Sequence, residues 1–137
     1  ETGHLVFATL HTGSVSQTMD RIIDVFPAEQ QGQVRQQLAS TVAAVASQRL
    51  LPRQGGGRIP ALEIMFANDA VRNLIREGKT YQIDNVMQTS GGQGMMLIEN
   101  HLARLVQQGL VSQEDATRQA FRPEEMMRLL GTRPATQ

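Results

Sequence analysis

Three consecutive glycines, Gly55-Gly56-Gly57, stand between two apolar runs and leave this chain little choice but to reverse direction there. Glycine takes positive φ without a Cβ clash, so such a link reads as the turn of a β-hairpin. Residues 48–53 lead in, and residues 58–67 read as the strand that leaves. Pro52 and Pro60 suit edge positions or strand ends, because proline gives no ladder donor. A glycine-rich link also invites comparison with a phosphate-binding loop. That comparison fails twice: no Gly-Lys-Ser/Thr follows, and a strand follows where such a loop needs a helix.

Upstream, His4 and His11 bracket the run Leu5-Val6-Phe7-Ala8-Thr9-Leu10. This run is short, mostly apolar and contains Val, Phe and Thr, so it reads as a buried strand. On a strand the two histidines would lie at opposite ends and on opposite faces of the pleat. Thr12-Gly13-Ser14 reads as a turn with Ser14 as N-cap. A helix over residues 15–25 then places Met19, Ile22, Ile23 and Phe26 on one side, and Arg21 and Asp24 on the polar side. Pro27 opens a further helix, expected to run to about residue 47. Its stripe would be Val34, Leu38, Val42 and Val45, with alanines 39, 43, 44 and 46 for close packing.

From Asn68 onward the pattern is helical. Asn68 or Asp69 caps a helix over residues 70–77 that Gly78 stops. A short helix over 81–88, a loop over 90–94 and a helix over 95–107 closed by Gly109 follow. Ser112-Gln113-Glu114-Asp115 reads as a capping-box-like start, and Pro123 opens a last short helix. Residues 132–137 read as a frayed tail. At the other end, Glu1-Thr2-Gly3 reads as the tail of a helix, so the expectation is a piece of a longer protein.

Thirteen basic and thirteen acidic residues give a formal net charge of zero. No global field therefore recruits nucleic acid or anionic lipid. With no cysteine, disulfides, zinc-thiolate sites and cysteine nucleophiles are excluded. No apolar run approaches the ~20 residues that span a bilayer.

Three motifs, in order, resemble one family. Residues 1–27 resemble the histidine box of the secretion-type hexameric ATPases. Gly56-Gly57-Arg58-Ile59-Pro60-Ala61-Leu62-Glu63-Ile64-Met65 resembles the glycine hairpin and strand that follow that box. Ala70-Val71-Arg72-Asn73-Leu74-Ile75-Arg76-Glu77 resembles the segment AIRNLIRE, characteristic of the type IV pilus retraction ATPases, with Val71 for the isoleucine.

The resemblance implies an α/β fold. Residues 1–67 would be the C-terminal part of a RecA-like P-loop ATPase core, comprising a strand, helices and the hairpin. Residues 68–137 would be a helical subdomain carrying the retraction segment. It further implies that His4 and His11 belong to the catalytic machinery, near the γ-phosphate side of the site. A histidine there can donate to a phosphate oxygen or to the acidic residue that orients water. The competing reading is that His4 merely ends a strand and that His11 is structural. Thr12 and Arg21 are the nucleotide-binding candidates. Arg21 pairs with a phosphate, pairs across a subunit interface, or is a plain surface arginine. No metal ligand is assigned.

In the retraction motors the 70–77 segment is tied to pulling the pilus rather than to hydrolysis. Its residues agree: it has no nucleophile and no histidine, and Val71, Leu74 and Ile75 make a buried side. Arg72 and Arg76 share a face, as do Asn73 and Glu77. A solvated amphipathic helix with an internal Arg–Glu pair is the plainer account.

The parent protein implied is an ATPase using ATP and Mg2+, a hexameric ring in the cytoplasm, peripheral to the inner membrane at the pilus base. Its partner would be the inner-membrane pilus platform protein. This chain has neither a Gly-x-x-x-x-Gly-Lys-Ser/Thr loop nor an apolar strand ending in Asp-Glu. Those Walker elements hold phosphates, magnesium and the attacking water, so the chain alone is expected to be inactive. The alternatives are an accessory retraction ATPase or a pilus-extension or type II secretion ATPase of the same superfamily. A non-catalytic helix-turn-helix module over residues 95–121 is the third. Gln113-Glu114-Asp115 argue against DNA, because two carboxylates would meet the phosphates.

Overall fold

A computed structural model describes residues 3–131. They form an α/β fold of helices and one two-stranded antiparallel hairpin. The chain divides into two compact units, residues 1–47 with 64–95, and residues 48–63 with 96–137.

In the first unit, α1 (Val15–Asp24) starts where Ser14, extended at φ −147°, accepts from the Gln17 amide at 3.3 Å. That bond satisfies one of the orphan amides of the first turn. Val15, Met19 and Ile23 recur every four residues and are buried. After Pro27, α2 (Ala28–Thr41) leads to strand β1 (Ala44–Pro52), which pairs with β2 (Arg58–Phe66). At the hairpin base the Ala67 amide donates to the Ala43 carbonyl at 2.9 Å. Helix α3 (Asp69–Arg76) is capped by Asn68, whose Oδ1 accepts from the Val71 amide at 3.0 Å. A 3-10 turn over Thr80–Gln82 runs into α4 (Ile83–Thr89). Met65, Val71, Ile75, Ile83, Met87 and Met95 add to the buried set of this unit.

Helix α3 ends as the glycine demands. Gly78 takes φ +70°, its amide donates to the Ile75 carbonyl at 3.2 Å, and the Lys79 amide donates to the Leu74 carbonyl at 2.8 Å. These two bonds form a Schellman closure of the helix.

Among the described residues the second unit holds the hairpin tip and helices α5 (Ile98–Gln107), α6 (Gln113–Gln119) and α7 (Pro123–Leu129). At the tip Gly55, Gly56 and Gly57 have φ +88°, +109° and +78°, and the Gly56 amide donates to the Arg53 carbonyl. The expected turn is therefore present. Leu51, Ala61, Ile98, Leu102, Leu105, Val111 and Met126 pack into one core. The Glu63 carboxylate accepts from the Ile98 amide at 3.3 Å, at the start of α5. Ser112 caps α6 by accepting from the Asp115 amide at 3.1 Å.

Three expectations are corrected. Residues 4–11 are not a buried strand: they have no regular structure, and Leu5, Val6 and Phe7 are 82%, 76% and 88% exposed. A strand needs a ladder partner for its amides and carbonyls. Among the described residues the only sheet is β1–β2, so this run has none. Second, α2 stops at Thr41 and not near residue 47, because residues 44–47 join β1. Pairing across the hairpin overrides the helix preference of the alanines there. The expected Val34-Leu38-Val42-Val45 stripe is only half-buried, and α2 buries Ala39 instead. Third, Phe26 is exposed and Ile22 and Leu74 are half-buried. The frayed tail over 132–137 and the residues Glu1 and Thr2 lie outside the described residues.

Candidate functional site

Helix α1 carries a polar stripe opposite its buried one. Gln17, Asp20, Arg21 and Asp24 recur at three- and four-residue steps and share a face. With His11, Thr12 and Gly13 from the preceding turn they line an open depression of about 300 Å3. The turn is held locally. The Thr12 and Thr18 hydroxyls lie 2.7 Å apart, and Thr18 Oγ1 donates to the Ser14 carbonyl at 2.8 Å. The Gly13 amide donates to Gln17 Oε1 at 3.1 Å, and Ser47 Oγ donates to the Gly13 carbonyl at 3.1 Å. Backbone hydrogen bonds from both sides thus fix Gly13 between Thr12 and the helix.

Of the sequence candidates, the structure brings His11, Thr12 and Arg21 together around this depression. His4 is not among the residues that line it. His11, Thr12 and Arg21 offer donors to an anion, while Asp20 and Asp24 offer acceptors beside them. No group of three or more His, Cys, Asp or Glu side chains suited to a metal lies among the described residues. No described helix is long and apolar enough to cross a membrane.

The 70–77 segment folds as α3 and its C-cap Glu77. Val71 and Ile75 are buried and anchor it. Ala70, Asn73, Arg76 and Glu77 are exposed, and Arg72 and Leu74 are half-buried. The side chains pair differently from the internal Arg–Glu couple of the plainer account. Arg76 donates to Asn73 Oδ1 at 2.7 Å, and Glu77 binds Lys79 at 2.8 Å. The hydrogen bond to Glu77 and its charge raise the Lys79 pKa above its usual range. Arg72 reaches away from the segment and donates from Nη1 to the Ala39 carbonyl.

Four polar residues outside the sequence candidates hold the two units. In the first, Thr80 Oγ1 donates to Asp20 Oδ1 at 2.6 Å. In the second, Glu99 is fully buried, and its Oε1 accepts from the amides of Phe121 and Arg122 at 3.0 and 2.9 Å. Also in the second, the Leu62 amide donates to His101 Nδ1 at 2.9 Å. Burial first, and the nearby Arg104 charge second, push the His101 pKa down. The only local signal for Glu99 was its place between Ile98 and Leu102 on an otherwise apolar face.

A capped helix after a histidine-bearing turn, then a glycine-tipped hairpin and a Schellman-closed helix, follow one another along this chain. The chain belongs to the type II/IV secretion system protein family, which matches residues 1–122. It is 49% identical over 124 residues to the type IV pilus retraction ATPase PilT of Pseudomonas aeruginosa, covering 90% of this chain and 36% of that protein. It is 50% identical over 127 residues to a twitching motility protein of Neisseria gonorrhoeae, covering 92% of this chain and 34% of that one. A crystal structure of the pilus retraction motor PilT with bound ADP superposes with a TM-score of 0.83 at 45% identity. That match covers 93% of this chain and 36% of the motor. The chain thus spans about a third of the length of these relatives, and its fold matches the C-terminal part of the motor.

Proposed function

We propose that this chain is the C-terminal part of a motor ATPase that uses ATP hydrolysis to drive type IV pilus retraction. The observation that carries the reading is the match, at 45% identity along 93% of the chain, to a retraction motor whose structure holds ADP. In this reading residues 1–67 complete a RecA-like core and residues 68–137 form a helical subdomain. His11 and Thr12 face the nucleotide, with Arg21 beside them, and His4 stands further back in the histidine box. Mg2+ and the phosphates are held by Walker elements elsewhere in the full-length protein. The ring is hexameric, works in the cytoplasm against the inner membrane, and engages the pilus platform protein.

Segment 70–77 transmits force in this reading. Its apolar side is anchored by Val71 and Ile75, and its exposed side carries Asn73, Arg76 and Glu77. Nothing on that side resembles a phosphate-handling group except the arginines. The test uses the full-length protein with Arg76→Ala. Surface motility of cells is expected to fall further than phosphate release by the purified enzyme. Equal losses would make the helix part of the catalytic unit. A wild-type full-length protein that releases no phosphate from ATP would overturn the ATPase reading altogether. The chain alone is expected to show no tight ATP binding in calorimetry; micromolar affinity would contradict that.

A further inference from the structure

The depression and the segment are physically joined. Asp20 lines the depression from α1, and its Oδ1 accepts the Thr80 hydroxyl at 2.6 Å. Thr80 is three residues past Glu77, the last residue of the segment, and only 6% exposed. It is held from both sides. Before it, the Schellman closure at Gly78 and Lys79 pins the end of α3, and the Lys79–Glu77 ion pair lies across the same turn. After it, the Gln82 amide donates to the Lys79 carbonyl at 3.0 Å and starts the 3-10 turn into α4. Apolar packing would let α1 slide against this turn. A short, part-buried hydrogen bond to a carboxylate sets one position, which apolar packing does not.

We propose that Asp20 and Thr80 are a coupling pair, through which occupancy of the depression by a nucleoside triphosphate is passed to the C-terminal end of the 70–77 segment. This rests on the ATPase reading above. An anion near Arg21 and His11 repels the adjacent Asp20 carboxylate. Any shift of that carboxylate moves Thr80, and with it the closing turn of α3. Thr80 is a positioning residue in this scheme, since it lines no part of the depression.

The experiment is amide hydrogen exchange on the full-length protein with and without ATP, beside its rate of phosphate release. In the wild type, ATP is expected to alter exchange across residues 78–82. Thr80→Val, which keeps the shape and removes the donor, should hydrolyse ATP at about the wild-type rate. Its ATP-dependent change at 78–82 should shrink by about fivefold or more, the low end for coupling between two sites. Thr80→Ser restores the hydroxyl and should restore the response. Thr80→Ala repeats the test should the valine variant fold poorly. A response that persists in both donor-less variants, or that serine fails to restore, overturns the coupling. So does a wild type that hydrolyses ATP with no change at 78–82. A wild type that hydrolyses nothing overturns the ATPase reading instead, so the two failures are distinct.

Discussion

The Arg72 guanidinium donates to the backbone carbonyl of Ala39, one of the last four carbonyls of α2. Such carbonyls lack an intrahelical partner and carry the negative end of the helix dipole. One side chain thus ties the 70–77 segment to its neighbouring helix and satisfies a helix end at the same time.

Arg72→Met keeps the aliphatic stem and removes this bond. The loss should be about 1.5–3 kcal/mol, the range for a hydrogen bond with one charged partner. Urea unfolding measures it, and amide exchange at the end of α2 should speed up. A loss below a few tenths of a kcal/mol would mean that water replaces the guanidinium without penalty.

Glu99→Ala should destabilise the second unit by about 1–3 kcal/mol, the range for leaving a hydrogen-bonding group without its partner. It leaves the amides of Phe121 and Arg122 without their acceptor and takes the carboxylate from the Arg122 guanidinium, 3.5 Å away. Glu99→Gln keeps an oxygen for both amides and should lose less. Exchange rates of the two amides report this directly, rising most in the alanine variant.

His101 has a folded pKa below its ordinary 6.5. The unfolded chain therefore takes up the proton first as pH falls. The stability that the neutral ring supports is present in full above about pH 6.5 and declines below it until the folded form also protonates. Protonated Nδ1 can no longer accept from the Leu62 amide. Titrating the ring by NMR while following exchange of the Leu62 amide checks both statements, and His101→Gln should flatten the acid side of the profile.

In the full-length protein, His11→Ala should lower turnover while leaving nucleotide binding largely intact. A bond that strengthens as the γ-phosphate reacts affects rate more than ground-state affinity. The loss is about 2–4 kcal/mol of barrier, by analogy with a single oxyanion donor. Steady-state phosphate release together with a fluorescent-nucleotide titration separates the two. Unchanged turnover would leave His11 a structural role only.

Features set by a few neighbouring residues were legible before any coordinates. Ser14, Asn68 and Ser112 cap the helices they precede, and Gly78 and Gly109 end the helices they follow. The glycine hairpin was legible for the same reason: its backbone conformation is demanded locally. What depended on distant partners was misread. Residues 4–11 have the composition of a strand, yet composition supplies no ladder. Residues 44–47 have the composition of a helix, yet their backbone pairs across the hairpin. The candidate depression gathers His11, Thr12 and Arg21 but not His4. His11, Thr12 and Arg21 converge because the turn and first helix are contiguous. Thr80 meets Asp20 from sixty residues away, which no spacing rule discloses.

Leu5, Val6 and Phe7 stand in water side by side. An extended, uncharged stretch of that kind is what chaperones capture and what seeds precipitation at high concentration. Produced on its own, this chain should bind hydrophobic dyes through those three side chains, and a lysine in place of Phe7 should keep it clear in solution. The segment that bears the first histidine would thus govern how the chain behaves in a test tube.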